Sequence, residues 1–496
     1  MSRTALAALV LLTAAILFNS GCAVPLAPEY DVKKETVAIH FTSSAGAQPE
    51  LQIRSVYSIE NTGTTPLDFM DVDLPSPKVF GRTDLKFSLD GKPVAASALP
   101  ADQQFSLPDA MRIPFGAPLD KKSRRELTIE YTFRAPVLSG SQITLNPTDF
   151  HLGTRGWEPV LLPPRHVLSP EPIRPLKREY SVTVPSDFRI VARGKSAGTK
   201  KSGDETGYRF KLNAADFNIY VVAGRYVDSS KDRGDAVSFW THDPLKEDPA
   251  HAVGEIAGAW AVMEKQFGPL DKNVRTARVV ESEGFGLNDV DTQGATALAF
   301  PGGALVNPPA LALGVNSDQF LNLATQAVAA GWFSNKVYPA SNDVIGISGG
   351  LAGYATIVID EARGGDSARR TRIADYIHRY DRAVHDLAGQ QKDGKPLEEE
   401  PIVATLPDDP YAQRAVGLAK APLFYAALED QCGGEPVRKG LVSMMNIMAG
   451  QEVDFKVMRS SIEYTCKKDL AGTFRAWLNN TGLPADFREK YAPDSH

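Results

Sequence analysis

The chain has 496 residues, 43% apolar and 23% charged, which is ordinary globular composition, and a net charge of −6 at pH 7. The acidic balance argues against a nucleic-acid partner, which would want a basic face. At roughly 150 residues per domain the length predicts two or three domains, and nothing after the N-terminus is long and apolar enough to span a bilayer.

In chain order, Arg3 is followed by an apolar run from Ala5 to Phe18 and then by Asn19, Ser20, Gly21 and Cys22. The run is too short and poorly flanked to span, so residues 1–21 read as a signal peptide. Small residues before Cys22 predict cleavage there and lipidation of the cysteine, as in bacterial lipoproteins, although Asn19 departs from the usual Leu, Val or Ile. Two acyl chains would anchor the protein firmly, since one gives only a marginal hold. The expected place is the bacterial envelope, lipid-anchored and periplasm-facing; Ala23 after Cys22 is compatible with outer-membrane sorting. The alternative is secretion after cleavage nearby. Residues 22–36 read as a tether.

Residues 37–228 read as β. Runs such as 50–60, 125–133, 178–185 and 218–227 alternate apolar and polar residues and are separated by turn clusters. Asp90-Gly91 between two such runs predicts a hairpin. The proline-rich passage with Pro163, Pro164, Pro170, Pro172 and Pro175 reads as an ordered loop, because strands resume after it. The expectation is an antiparallel sandwich or saddle.

Residues 229–496 turn helical, with strands only near the junction. A helix over 249–267 stops at Gly268-Pro269, a strand follows at 277–282, and Ser317 can cap the next helix. Two helices are expected at 349–363 and 366–388, and more over 417–445 and 461–484. An oxidising compartment makes a Cys432–Cys466 disulfide plausible; the alternative is two buried free thiols. Trp332 and Phe333 read as core, and Glu398-Glu399-Glu400 as a solvated loop. His378 and His385 read as a solvated helix face crowded by Arg379 and Arg382.

Residues 320–337, FLNLATQAVAAGWFSNKV, and 345–356, IGISGGLAGYAT, resemble the aminopeptidase N family of zinc metallopeptidases. That family carries H-E-x-x-H followed by Q-W-F-x-N-x-V, and later N-E-G-F-A-T-Y. Trp332, Phe333, Asn335 and Val337 keep the register. The resemblance extends to Trp157, Pro159 and the AGRYV stretch of the β-domain, and to the last helices; it covers nearly all of the mature chain. It implies a thermolysin-like helical domain with a small mixed sheet, and so an α+β fold. In the family, two histidines and a glutamate hold zinc and drop the pKa of bound water far below its bulk value, to about 7, and a second glutamate takes the proton. Here the ligand positions fall on Gln326, Ala330 and Gly349, and the base on Ala327. The oxyanion tyrosine falls on Leu418, two residues before Lys420-Ala421. The edge-strand motif that anchors a substrate's amino group aligns with 288–292, where Asp291 keeps a carboxylate.

These replacements lead to the expectation of a pseudo-aminopeptidase without zinc that binds a peptide or protein partner at a membrane surface. One rival is an active hydrolase. Gly346-Ile347-Ser348-Gly349-Gly350 fits the G-x-S-x-G nucleophile elbow, with Asp360 and His378 or His385 following in order. Against it, only a short apolar stretch precedes Ser348, and no βαβ series would build the parallel sheet. The remaining rivals are an active aminopeptidase-like metallopeptidase and a purely structural lipoprotein.

Overall fold

The computed structural model describes residues 29–43, 48–100, 109–134, 143–153, 156–162, 175–212, 219–230, 237–270, 274, 276–283, 294–334, 336–340, 343–392, 395–405 and 413–492. One apolar core gathers residues between Tyr30 and Ala223, and a second gathers residues between Val237 and Ala492. A β-domain is therefore followed by a helical domain, the expected α+β arrangement.

The β-domain is organised by an eight-stranded sheet. Its spatial order is Lys195–Ser202, Glu205–Leu212, Arg178–Pro185, Tyr30–Thr42, Glu50–Asn61, Arg124–Phe133, Arg82–Leu89 and Lys92–Pro93. Period-two patterning explains the burial: in Tyr30–Thr42 the apolar Val37, Ile39 and Phe41 point inward between half-buried neighbours. Phe41 stacks at 5.1 Å on Phe150 of a four-stranded sheet, so the inner faces close as a sandwich. Asp90 (φ 48°) and Gly91 (φ 75°) make the expected hairpin turn.

Two expectations need correction. The sheet is not wholly antiparallel, because Glu35–His40 runs parallel to Arg178–Thr183. The first strand starts at Tyr30, inside the stretch read as tether. Tyr30 is fully buried and its hydroxyl donates to the Leu162 carbonyl at 2.5 Å. Lysines and a glutamate among residues 33–35 masked this apolar alternation in the sequence.

The helical domain opens with a mixed five-stranded sheet ordered Val227–Asp228, Val237–Thr241, Ala277–Glu281, Gly303–Val306 and Ala297–Phe300, whose central pairs are parallel. Helices α1 (Ala250–Phe267), α2 (Asp318–Ser334) and α3 (Gly350–Ala388) follow. α4 (Ala421–Cys432), α5 (Gly434–Ile447), α6 (Phe455–Cys466), α7 (Ala471–Leu478) and α8 (Ala485–Tyr491) complete the domain. The two helices expected at 349–363 and 366–388 are the halves of α3, broken at Gly365 (φ 68°, ψ −159°). Among the described residues no helix is long and apolar enough to cross a membrane. Cys432 and Cys466 form a disulfide that joins the ends of α4 and α6.

Candidate functional site

α2 is the helix that carries Gln326 and Ala330, the expected first two ligand positions. Ser317 caps it as expected, its hydroxyl accepting from the Phe320 amide at 3.2 Å. Trp332 and Phe333 fix the helix from beneath. The Trp332 indole N–H donates to the Gly268 carbonyl at the end of α1 (2.8 Å), and the ring meets Trp260 edge-on at 4.7 Å. Phe333 meets Phe267 edge-on at 5.1 Å. Both are core residues, fixing the helix whose half-buried outer residues include Gln326 and Ala330. Ala327 is buried.

Gly349 closes a π-helical segment, Ile345–Gly349, that leads into α3. Facing it is a second π-helical segment, Gln413–Lys420, that leads into α4. The two approach through their glycines. A Cβ on Gly349 would lie 3.0 Å from the Gly417 carbonyl oxygen, and one on Gly417 would lie 2.8 Å from Ile345 Cγ2. The close packing continues along α3: a Cβ on Gly350 would meet Tyr425 at 2.7 Å, and one on Gly353 would meet Pro422 at 2.3 Å. The small residues of 345–356 thus serve helix–helix approach, as a packing role would require.

This geometry overturns the nucleophile-elbow alternative. An elbow places its serine on the sharp turn between strand and helix. Ser348 instead sits half-buried inside a helical run that begins before Ile345. Asp360 is held by Arg372 at 2.6 Å, and His378 and His385 are exposed on α3.

Leu418 lies on the second π-helical segment and is 41% exposed. Two residues on, the Lys420 side chain is fully buried; its ammonium donates to Glu399 Oε1 (2.8 Å) and to the Asn480 carbonyl (2.7 Å). Glu399 also accepts from the Tyr380 hydroxyl (2.6 Å) and the Gly482 amide (2.8 Å). Glu399 is therefore a structural clamp and not part of a solvated loop; its partners lie too far along the chain to be read from local composition. Burial lowers the Lys420 pKa, against the pull of Glu399.

The side chains at the positions that the resemblance assigns to metal ligands do not fit a zinc ion. Gln326 offers a neutral amide, Ala330 and Gly349 offer no donor, and the space beside Gly349 is taken by backbone. Among the described residues no three His, Cys, Asp or Glu side chains converge as a metal-binding group. Asp291, Asn335 and Cys22 lie outside the described residues.

The solved M1 zinc metallopeptidase from Deinococcus radiodurans superposes on this chain with a TM-score of 0.60 at 17% identity, covering 92% of this chain and 95% of that one. The fold is that of an M1 zinc metallopeptidase. A mutant of the Deinococcus radiodurans protein bound to a Tyr-Ser-Ala substrate matches equally well, with a TM-score of 0.60, 17% identity and the same coverage. A two-domain M1 zinc metallopeptidase mutant bound to L-tryptophan gives 0.61 at 18%, covering 92% and 96%. At these identities the likeness is one of fold. No family sequence model and no curated protein sequence matches the chain.

Sequence reasoning missed the paired π-helical segments and the polar seam between the domains. A π-helical turn has no distinctive residue pattern, and the seam residues lie roughly a hundred positions apart.

Proposed function

We propose that this chain is a peptidase-fold protein that has exchanged peptide hydrolysis for binding a peptide or protein partner at a bacterial envelope membrane. The observation that supports this reading is the close packing at Gly349, the position the resemblance assigns to the third metal ligand, where an added Cβ would lie 3.0 Å from the Gly417 carbonyl oxygen. Ala327 and Leu418 supply neither a base nor an oxyanion donor, so ligand, base and electrophile positions are all without chemistry. What the fold offers is a strand at the edge of the five-stranded sheet, Ala297–Phe300, which among the described residues pairs only with Gly303–Val306. Such an edge can take an extended peptide by strand addition, and Asp291 in the preceding segment supplies a carboxylate for an amino terminus. Cys22 is the proposed attachment point for the lipid.

Metal analysis of the purified protein beside an aminopeptidase assay tests the first half: sub-stoichiometric zinc and no turnover are expected. Stoichiometric zinc, lost on chelation together with activity, would overturn it. For the second half, a panel of extended peptides is titrated against the wild type and Asp291→Ala. Weaker binding in the variant supports the edge-strand site; undiminished binding removes it. Labelled-palmitate incorporation that survives Cys22→Ser would remove the anchor.

A further inference from the structure

The contact between the two domains has an apolar half and a polar half. The apolar half joins Val191, Tyr220 and Val222 to Val280, Phe300 and Leu305, with Tyr220 stacked on Phe300 at 5.1 Å. The polar half is built round Asp149 of the β-domain, which is wholly buried. Its Oδ2 accepts from the Ser282 hydroxyl of the helical domain at 2.8 Å. Its Oδ1 lies 3.4 Å from His242 Nε2, also of the helical domain, and takes Asn146 Nδ2 at 3.2 Å and the Thr148 hydroxyl at 3.4 Å. On the other side of the imidazole, Nδ1 is 3.2 Å from the Arg225 carbonyl. The His242 amide donates to Glu281 Oε2 at 2.7 Å.

The ring therefore has a carbonyl within hydrogen-bond reach of Nδ1, and a carboxylate at ion-pair distance from Nε2, which is buried without a hydrogen-bond partner. Neutral imidazole carries one N–H and leaves one of these oxygens facing a lone pair; imidazolium turns an N–H to each side and places its charge beside the Asp149 carboxylate. The groups around it favour the cation. Asp149 comes from the strand Asp149–Leu152 and Glu281 from the end of Ala277–Glu281, with Glu283 beyond it acting on Glu281. The Arg225 guanidinium turns away to Asp187 at 2.7 Å. The Tyr226 ring packs on the imidazole at 5.0 Å, and burial keeps its hydroxyl neutral. Among the described residues no lysine or arginine pairs with Asp149. Burial pulls the His242 pKa down, but Asp149, Glu281 and the Arg225 carbonyl outweigh it and the net direction is upward. His151, buried at the same seam without a carboxylate partner, goes the other way to about 3 and stays neutral.

We propose that His242 is a pH-sensitive latch between the domains: its imidazolium ties Asp149 of the β-domain to the Glu281–Ser282 end of the helical domain, and deprotonation loosens the seam. The sign follows from the raised value. The contribution is complete below the free histidine pKa of about 6.5 and is lost as pH rises through the higher folded value. The latch concerns the seam and stands whether or not the edge strand takes a peptide.

Hydrogen exchange of the full-length protein, followed by mass spectrometry across a pH series and corrected for intrinsic rates, reads local opening of 143–153, 237–242 and 277–283. In the wild type, seam protection should fall as pH rises above the free histidine value. The fall should be about tenfold for each unit by which the folded pKa exceeds the free value. His242→Gln should be less protected and flat across the same range, and Asp149→Asn should move the midpoint to lower pH. A flat wild-type profile, or an unchanged slope in His242→Gln, overturns the latch. Histidine-selective isotope labelling supplies a check that needs no variant beyond one for assignment. A His242 titration midpoint above the free value supports the latch, and one below it overturns it.

Discussion

At Gly349 one added carbon would lie 3.0 Å from the Gly417 carbonyl oxygen, and the neighbour that must give way is helical backbone, not the end of a flexible side chain. Gly349→Glu is therefore expected to lower stability by about 1–3 kcal/mol, seen as a lower denaturant midpoint at unchanged slope. An unchanged midpoint would mean that the two π-helical segments yield easily. Residues of this kind differ in how well a sequence announces them. Ser317, Trp332 and Phe333 were legible because a cap or an apolar stripe is set by neighbours three or four positions away. Glu399, Asp149 and His242 were not, because each is defined by partners such as Lys420, Ser282 and Arg225 that only the folded chain assembles.

The elements were legible wherever periodicity decides them. The alternating strands, the Asp90-Gly91 hairpin and the helix ending at Phe267 lie close to their expected places. Gly364-Gly365 marked the break in α3, and the structure shows why a glycine is needed there. Gly365 takes φ 68° and ψ −159°, a combination open essentially to glycine alone. Gly365→Ala should cost about 1–3 kcal/mol. Because Gly365 is exposed, the loss should come from backbone strain and not from a steric clash. Thermal unfolding that is unchanged in this variant would show that the break can straighten without penalty. The π-helical segments were illegible for the opposite reason: one extra residue in a turn leaves the composition of Gln413–Lys420 looking like any helix.

At the scale of the molecule, the α+β plan was visible as a change of period, but the start of the β-domain was placed too late. A chain beginning at residue 37 would lack buried Tyr30 and Val32 and the hydroxyl contact to Leu162. It is expected to fold less stably than one beginning at residue 29, by several kcal/mol at about 1.5–3 kcal/mol for each large buried side chain removed. Equal unfolding midpoints for the two chains would restore the tether reading. The parallel pairing of the first strand with Arg178–Pro185 sharpens this, since the first strand lies inside the sheet and not at its edge.

The Cys432–Cys466 bond has a consequence for the order in which the molecule comes apart. It closes a stretch of 34 positions and ties α4, whose neighbouring π-helical turn backs onto Gly349, to α6. Without the bond, α6 is free to detach as a separate cooperative unit while α4 stays in place; with it, the two must leave together. Reduction, or Cys432→Ser, should cost about 2–4 kcal/mol. It should also split one unfolding transition into two, with proteolytic nicking of 455–466 appearing before any loss of the core around Trp332. A single transition at an unchanged midpoint would show that packing alone binds α6. If the split occurs, the wall that backs onto Gly349 is only as durable as the oxidising power of its surroundings.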